Sequence, residues 1–500
     1  MFRLTSRGRA RHALPGRDTA RTPHPTVVLG VILATYLMIV LDASIVITAL
    51  PSIREGLHFS PAGLSWVQSA YALTFGGLLL LGARAGDVWG RRRTFTWGIA
   101  LFTFASLMGG LAQSPGWLLA ARAVQGVGAA IAAPSTLALL TTSFPEGPAR
   151  TRALASYSAV AGGGGSVGLV LGGMLTDWVS WRWGLFINVP VGIALVVLAP
   201  RCLPETEPRP GRFDLAGAAA STAGMTALVY GFVRAAEHGW DDRITVASFA
   251  AAVVLLVGFV TVERRAAQPI TPLRLFADRG RVGAYVARML LVGGMFSMFF
   301  FLSQYLQGVR GLSPLQTGLA FLPMTAVMFA MVRAVPVLSA RWGDVRLLIT
   351  GVSLAVLGMG WLSQVGAGTA FFPDVAAPLV ILGLGMGSAL APLTAAGIAG
   401  VQSADAGAAS GVLNAAQQLG ASLGISVLVT VFTSSGGAAA GDPSAGVAFA
   451  GAAREEVAHA IATALTGSAI LVALALVVVV TVVRPRREPA SALSRIEVAR

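Results

Sequence analysis

The chain reads as an all-α membrane protein with fourteen transmembrane helices, on three observations. Fourteen apolar stretches, each near the twenty residues a helix needs to cross a hydrocarbon core about 30 Å thick, fill most of its 500 residues. Charged residues make up only 12% of the chain against 55% hydrophobic, and they gather in the short connections between those stretches. The 60 glycines exceed what soluble helices tolerate and match close-packed membrane helices.

The first span is expected near 26–50, behind an Arg- and Pro-rich tail over residues 1–25. Its apolar run is too long for a cleaved signal and ends in no small-residue cleavage site, so it is a retained helix. Spans two and three, near 64–83 and 95–112, flank a tight arginine-rich connection. Spans four to six follow near 117–143, 153–175 and 183–199, and spans seven and eight near 214–233 and 244–262. The last six are expected near 282–306, 316–339, 346–364, 374–398, 408–432 and 461–483. The connection at 433–460 is Gly/Ala-rich, with the composition of a flexible external loop.

The arginines orient the bundle. All 36 basic residues are arginine, and with both termini cytoplasmic the inward connections and tails hold 27 of them. Outward connections hold six, Arg54, Arg182, Arg234, Arg243, Arg310 and Arg454. That excess fixes the topology by the positive-inside rule, and an even number of spans returns the C-terminus to the cytoplasm. The net charge of +14 is therefore mainly a topology signal and does not point to nucleic acid. Cys202 is the sole cysteine and the five histidines show no ligand spacing, so neither a disulfide, a metal site nor a cofactor is expected. A chain without lysine also has no nucleotide-cradling G-x-x-x-x-G-K-[ST] loop.

Ionisable groups inside the spans are functional suspects, because hydrocarbon penalises them by several kcal/mol. Asp42 is the acid deep within a span, about 16 residues or roughly 24 Å from the start of span one. Arg122 lies about 6 residues, roughly 9 Å, below the outer start of span four, so the two share a depth. If their helices are neighbours, the pair can respond to protonation: desolvation raises a carboxyl pKa and an adjacent guanidinium lowers it. A static ion pair is the other reading. Arg288 and Arg333 count to the cytoplasmic ends of their spans, where arginine snorkels to headgroups.

Two local patterns stand out. Gly82-Ala83-Arg84-Ala85-Gly86-Asp87-Val88-Trp89-Gly90-Arg91-Arg92-Arg93 is too tight for a phosphate cradle. It suits a latch in which Asp87 accepts hydrogen bonds from a neighbouring helix N-terminus or arginine, with Gly86 and Gly90 permitting close approach and a sharp turn. Arg341-Trp342-Gly343-Asp344-Val345-Arg346 is its weaker echo, which argues for two similar halves. In span five, Gly164, Gly168 and Gly172, with Gly173 alongside, offer a smooth face on which a helix can pack, rock or slide. Gly407 with Gly411, and Gly420 with Gly424, offer a similar face in span thirteen.

From about residue 26 to 484 the chain resembles the major facilitator superfamily, and within it the fourteen-span drug:proton antiporters. The carriers of the resemblance are Leu41 to Pro51, with Ile47 where the family has Asn; Trp66 to Leu73; and the loop at 82–93, with Asp87, Gly90 and Arg91 kept and Val88 replacing an arginine. Arg122 to Ala130 fits the fourth-helix motif, the glycine helix fits the antiporter motif with Leu169 replacing proline, and Trp181 to Gly192 fits the fourteen-span branch. The resemblance implies two six-helix bundles, 26–200 and 266–484, that rock about a midplane site. It implies spans seven and eight as an inserted pair within 201–265, seams at Pro200–Pro210 and Pro269–Pro272, and a cytoplasmic tail at 485–500. It also implies a role in proton coupling for Arg122.

The expected function is secondary active efflux of small amphipathic molecules in exchange for protons by alternating access, in the cell membrane, with the protein working as a monomer. Polar and aromatic residues in or near the spans, Trp66, Gln68, Tyr71, Gln125, Asn188, Gln304, Tyr305, Asn414, Gln417 and Gln418, are candidates for a mostly apolar substrate cavity, although each also suits packing or interhelical hydrogen bonding. A carrier dedicated to one metabolite has the same sequence features. A membrane enzyme or sensor would need a catalytic cluster or a sizeable soluble domain, which the sequence does not offer.

Overall fold

The computed structural model describes residues 25–60, 62–144, 148–205, 215–265, 273–401, 406–437 and 452–483. The two tails, residues 206–210 of the first proline seam, the whole of the second, and residues 438–451 of the 433–460 connection lie outside the described residues. Among the described residues the chain is helical, without strands. The first half holds α1 (Pro25–Leu57), α2 (Trp66–Trp89), α3 (Arg91–Gly110), α4 (Pro115–Ser143), α5 (Pro148–Trp178), α6 (Trp183–Phe186) and α7 (Asn188–Cys202). An antiparallel pair follows, α8 (Leu215–His238) and α9 (Arg243–Arg265). The second half holds α10 (Arg279–Gln304), α11 (Pro314–Ala320), α12 (Leu322–Trp342), α13 (Asp344–Leu362), α14 (Ala376–Ile398), α15 (Ala406–Phe432) and α16 (Ala452–Val482).

The sixth span expected from the sequence is split at Ile187 into α6 and α7, and the tenth at Phe321 into α11 and α12. Pro323, in the first turn of α12, has no N–H to give to the preceding turn, which explains the second break. With each of these pairs counted as one rod, the described helices form fourteen rods. Ten helical segments are long and apolar enough to cross a membrane by length and composition. α2, α3, α5 and α8 are not among the ten.

The two halves repeat one packing scheme. α1 packs on α5, α2 and α3 pack on α4, and α3 packs on α7; correspondingly α10 packs on α15, α12 and α13 on α14, and α13 on α16. The glycines explain the close crossings. A Cβ added at Gly172 would lie 2.6 Å from Ile45 Cα, and one at Gly168 would lie 2.6 Å from Ser44 Cβ, so this stripe clamps α5 to α1. In the second half, a Cβ at Gly424 would lie 2.6 Å from the Gly293 carbonyl oxygen, clamping α15 to α10. Gly173 alone of the span-five set faces the other half, against Pro314 and Leu315.

The expected loop between spans two and three is reduced to a single residue. α2 continues to Trp89 and α3 starts at Arg91, so the turn is Gly90, at φ 93° and ψ 135°. Gly343 joins α12 to α13 at φ 80° and ψ 150°, the same device in the second half. Only glycine takes such angles without a Cβ penalty.

The halves touch at the end of the rods opposite the arginine-rich connections. There Ser303 Oγ donates to the Ile47 carbonyl (3.1 Å), Gln307 Nε2 donates to the Thr48 carbonyl (3.0 Å) and Ser313 Oγ donates to Asp177 Oδ2 (3.0 Å). Midway along the rods, Gly76 of α2 receives Gln418 of α15. The inserted pair sits beside that α2–α15 seam, with Thr222 against Gly77 and Thr430 Oγ1 donating to the Phe232 carbonyl. α9 turns Val246, Val253, Val254, Val257 and Val260 outward, as a helix facing lipid does.

Candidate proton and substrate site

Asp42 is fully buried on α1, and both of its oxygens are occupied. Arg122 Nη1 donates to Oδ2 at 2.7 Å, while Gln125 Nε2 and Asn188 Nδ2 donate to Oδ1 at 2.7 and 2.8 Å. Arg122 and Gln125 are three residues apart on α4 and so share a face. Arg122 Nη1 also donates to Gln125 Oε1 (2.6 Å), and its Nε donates to the Val67 carbonyl on α2 (3.1 Å). Gln125 Nε2 reaches Ser106 Oγ on α3 at 2.8 Å. The break at Ile187 places Asn188 as the first residue of α7, aimed at the carboxylate. Five rods thus converge on one acid.

The aromatic wall is Tyr71, whose ring lies 4.4 Å below the Arg122 guanidinium, a cation–π contact in a dry site. Arg122 Nη2, the Tyr71 hydroxyl and Gln68 Nε2 are buried without a protein hydrogen-bond partner. Unpaired polar atoms of this kind cost about 1 to 3 kcal/mol each, so the site is held in a polar-rich, incompletely satisfied state.

A second polar group sits in the other half. Arg288 does not snorkel toward a helix end, as its sequence position suggested. Its Nη2 and Nε donate to Gln417 Oε1 at 2.6 and 3.2 Å, and Nη1 donates to the Leu390 carbonyl and Thr394 Oγ1, both at 3.3 Å. Packing against α14 and α15 gives the guanidinium acceptors it would lack in hydrocarbon. Arg333 is exposed and lies 5.8 Å over the Phe329 ring.

The structure brings Gln68, Tyr71, Gln125 and Asn188 to the Asp42 side and Gln417 to Arg288. The remaining cavity candidates are dispersed. Trp66 packs on Tyr230 of the inserted pair at 6.3 Å, the Tyr305 hydroxyl donates to the Gly366 carbonyl (2.8 Å), Gln304 turns back to its own Phe300 carbonyl, and Asn414 is exposed. At the latch, the Asp87 side chain lies outside the described residues. Arg92 is what binds there: its backbone N–H and Nε reach the two oxygens of Glu205 at 3.2 Å each, and Nη1 reaches the Pro200 and Leu203 carbonyls. Glu205 has no signal in its sequence surroundings, because only folding brings it across to α3. Ser106 is equally silent in sequence, whereas Tyr36 and Tyr157, stacked at 4.0 Å, were findable as tyrosines inside apolar spans.

An all-helical chain of repeated halves, with buried charges midway along its rods, belongs to the class of multi-pass membrane transport proteins and carries no enzyme chemistry in its family. The major facilitator superfamily model matches residues 32–425, and the chain belongs to that superfamily. It is 42% identical over 418 residues to the cephamycin export protein CmcT of Amycolatopsis lactamdurans, covering 83% of this chain and 86% of the relative. It is 43% identical over 413 residues to the puromycin resistance protein pur8 of Streptomyces alboniger, covering 81% of each. Among solved structures, a bacterial homolog of the human lysosomal transporter Spinster shares the fold, with a TM-score of 0.64 at 16% identity, over 95% of this chain and 100% of that one.

Proposed function

We propose that the protein exports small amphipathic molecules, antibiotics among them, in exchange for protons by alternating access. The observation that carries this reading is the fully buried carboxylate of Asp42 midway along α1, held by donors from separate helices of one half. Fourteen rods cross the cell membrane with both termini cytoplasmic, so the arginine-rich end faces the cytoplasm. Residues 26–200 and 266–484 are the two moving bundles, joined by the inserted pair within 201–265, and a monomer suffices.

In the present geometry the outer ends touch and the Asp42 carboxylate is dry. Parting of the outer ends opens a path to it from outside. Protonation removes the negative charge that Arg122 pairs with, and breaking a buried pair costs about 3 to 5 kcal/mol unless the surroundings rearrange. Arg122 Nη2 and the Tyr71 hydroxyl are the groups left to receive a new partner. Proton and substrate must therefore prefer different states, since a ligand shifts an equilibrium only by its differential affinity. Gly90, Arg91 and Asp87 belong to the cytoplasmic latch, with Arg92 and Glu205 fastening α3 to the end of α7. The Gly164, Gly168 and Gly172 stripe keeps the Asp42 helix attached to α5 while the bundles move.

The names of the cephamycin and puromycin relatives fit a dedicated exporter equally well. Transport in inverted vesicles tests the coupling, with puromycin as the probe and a pH dye as the reporter. Wild type takes up puromycin with proton release when a gradient is imposed. Gradient-driven uptake that persists unchanged in Asp42→Asn removes Asp42 from the coupling role.

A further inference from the structure

The inserted pair carries a groove of about 780 Å³ where it meets α2, a size within the range of ligand sites. Its walls are largely alanine, Ala219, Ala223 and Ala227 on α8 and Ala247 and Ala251 on α9, with Leu78 of α2 beside them. Alanine ends at Cβ, so a trough is left between the two rods, whereas α9 carries the larger Val253, Val254 and Val257 on its outward face. The hydroxyl residues of the wall do not make it polar. Thr226 Oγ1 donates to the Thr222 carbonyl (2.8 Å) and Ser248 Oγ donates to the Ile244 carbonyl (2.7 Å), each within its own helix.

Arg243, the first residue of α9, belongs to the lining at one end. It is exposed, and among the described residues it forms no ion pair. The neighbouring Asp242 is taken by Arg234 at 2.6 Å and by the Ile244 and Thr245 backbone N–H groups. From the hairpin tip, α9 lines the groove down to Ala251 over about 8 residues, roughly 12 Å. On α8 the lining reaches Ala219, about 19 residues or roughly 28 Å from His238. The trough therefore runs from the headgroup level past the middle of a hydrocarbon core about 30 Å thick.

We propose that this groove binds one anionic phospholipid, with an acyl chain along the alanines and the phosphate on Arg243. A chain that leaves the bilayer for the groove gains no hydrophobic free energy, because lipid tails are as apolar as the wall. The trough therefore supplies shape, and selection falls to the cation at its mouth. Phosphatidylglycerol brings an uncompensated phosphate, whereas the choline of phosphatidylcholine neutralises its own. One arginine at the headgroup level favours the anionic lipid about fivefold. A seated chain touches α8, α9 and Leu78 of α2 at once, so it fastens the inserted pair beside the α2–α15 seam. The proposal needs the chain to span a bilayer and does not depend on what it exports.

The test places the full chain in phosphatidylcholine nanodiscs with a trace of phosphatidylglycerol or phosphatidylcholine carrying a diazirine in one acyl chain. After photolysis, peptide mass spectrometry gives the ratio of label on Ala223, Ala227 and Ala247 to label on the outward Val253 and Val254. In wild type that ratio is expected to be about fivefold higher for phosphatidylglycerol. Arg243→Gln is expected to make the two lipids equal, and Arg243→Lys to restore the difference. Ala227→Leu fills the trough and is expected to remove groove label from both lipids, while label on the valines persists and reports an intact hairpin. Equal ratios in wild type, which mean annular lipid only, overturn the proposal. So does a preference that survives Arg243→Gln, or groove label that survives Ala227→Leu. Loss of groove label to added puromycin also overturns it, and assigns the trough to the exported molecule. Gradient-driven puromycin transport in vesicles reports the export reading separately.

Discussion

At the residue scale the decisive question is whether Asp42 is there for structure or for protons, and two substitutions separate the answers. Asn keeps the shape and an acceptor oxygen but cannot carry a proton. Asp42→Asn is expected to fold, to exchange substrate across the membrane without a gradient, and to lose gradient-driven accumulation; counterflow and gradient assays on one preparation show both. Asp42→Leu removes the carboxylate that Arg122, Gln125 and Asn188 share and leaves a buried cation without its counter-charge. Its expected cost is about 3 to 5 kcal/mol, read as a large fall in thermal midpoint or expression. If Asp42→Asn were as destabilised as Asp42→Leu, the acid would be a structural strut. The depth match between Asp42 and Arg122 was legible from counting residues along two spans, and the structure places the two in contact. The Gln125 and Asn188 donors were legible only as polar residues near spans, because nothing in the chain says that positions 42 and 188 share a point in space.

At the element scale, the glycines sort into those that fasten and those that merely occur. A methyl at Gly172 meets the α1 backbone at 2.6 Å, whereas a methyl at Gly30 meets nothing within 4 Å. Gly172→Ala is therefore expected to destabilise by about 1 to 3 kcal/mol, as overpacking does, and Gly30→Ala to leave the thermal midpoint unchanged or slightly higher. Equal midpoints for both would mean that α1 and α5 do not cross closely. The spacing of the stripe was visible in sequence, but its partner was not: a sliding surface between the halves and a clamp within one half have the same pattern. The α8–α9 hairpin carries a separate prediction. Arg234, chiefly, and the Thr245 backbone N–H hold Asp242 well below the usual carboxylate range, in the connection outside the spans. A lowered carboxyl pKa stabilises above the ordinary range and gives that up only as pH falls through the lowered value. The hydrogen-exchange protection factor at the hairpin tip, with the intrinsic pH dependence of exchange divided out, should thus be flat from pH 7 to 5 in wild type, and lower throughout in Asp242→Asn.

At the scale of the whole molecule, the seam between the halves is closed at one end. Ser313 Oγ and Asp177 Oδ2 meet at 3.0 Å across it, at the ends of α11 and α5 away from Gly90 and Gly343. Cysteines at both positions, in a Cys202→Ser background, are expected to cross-link on oxidation and to stop transport, with recovery on reduction. Transport that continues in the fully cross-linked protein would rule out rocking about this seam. Gly90 and Gly343 belong to the same scale, since each sets the turn between two rods at the opposite end. Alanine at either forces a positive φ on a residue with a Cβ, at about 1 to 3 kcal/mol. A matched loss of thermal stability at the two positions would show that the halves use the device equally.

The sequence by itself determined the helical membrane class, the rods and their order, the repetition of halves and the identity of the one deep acid. Those properties are local or additive: a run of about twenty apolar residues satisfies its backbone in hydrocarbon as a helix, and the loop arginines are read one connection at a time. Only the tertiary structure decided that Arg288 turns inward to Gln417, that Arg92 meets Glu205, that α5 clamps to α1, and which end of the seam is closed. Each of those depends on which face of one helix meets which face of another, and the period of an almost uniformly apolar helix leaves that choice open until all the rods pack at once.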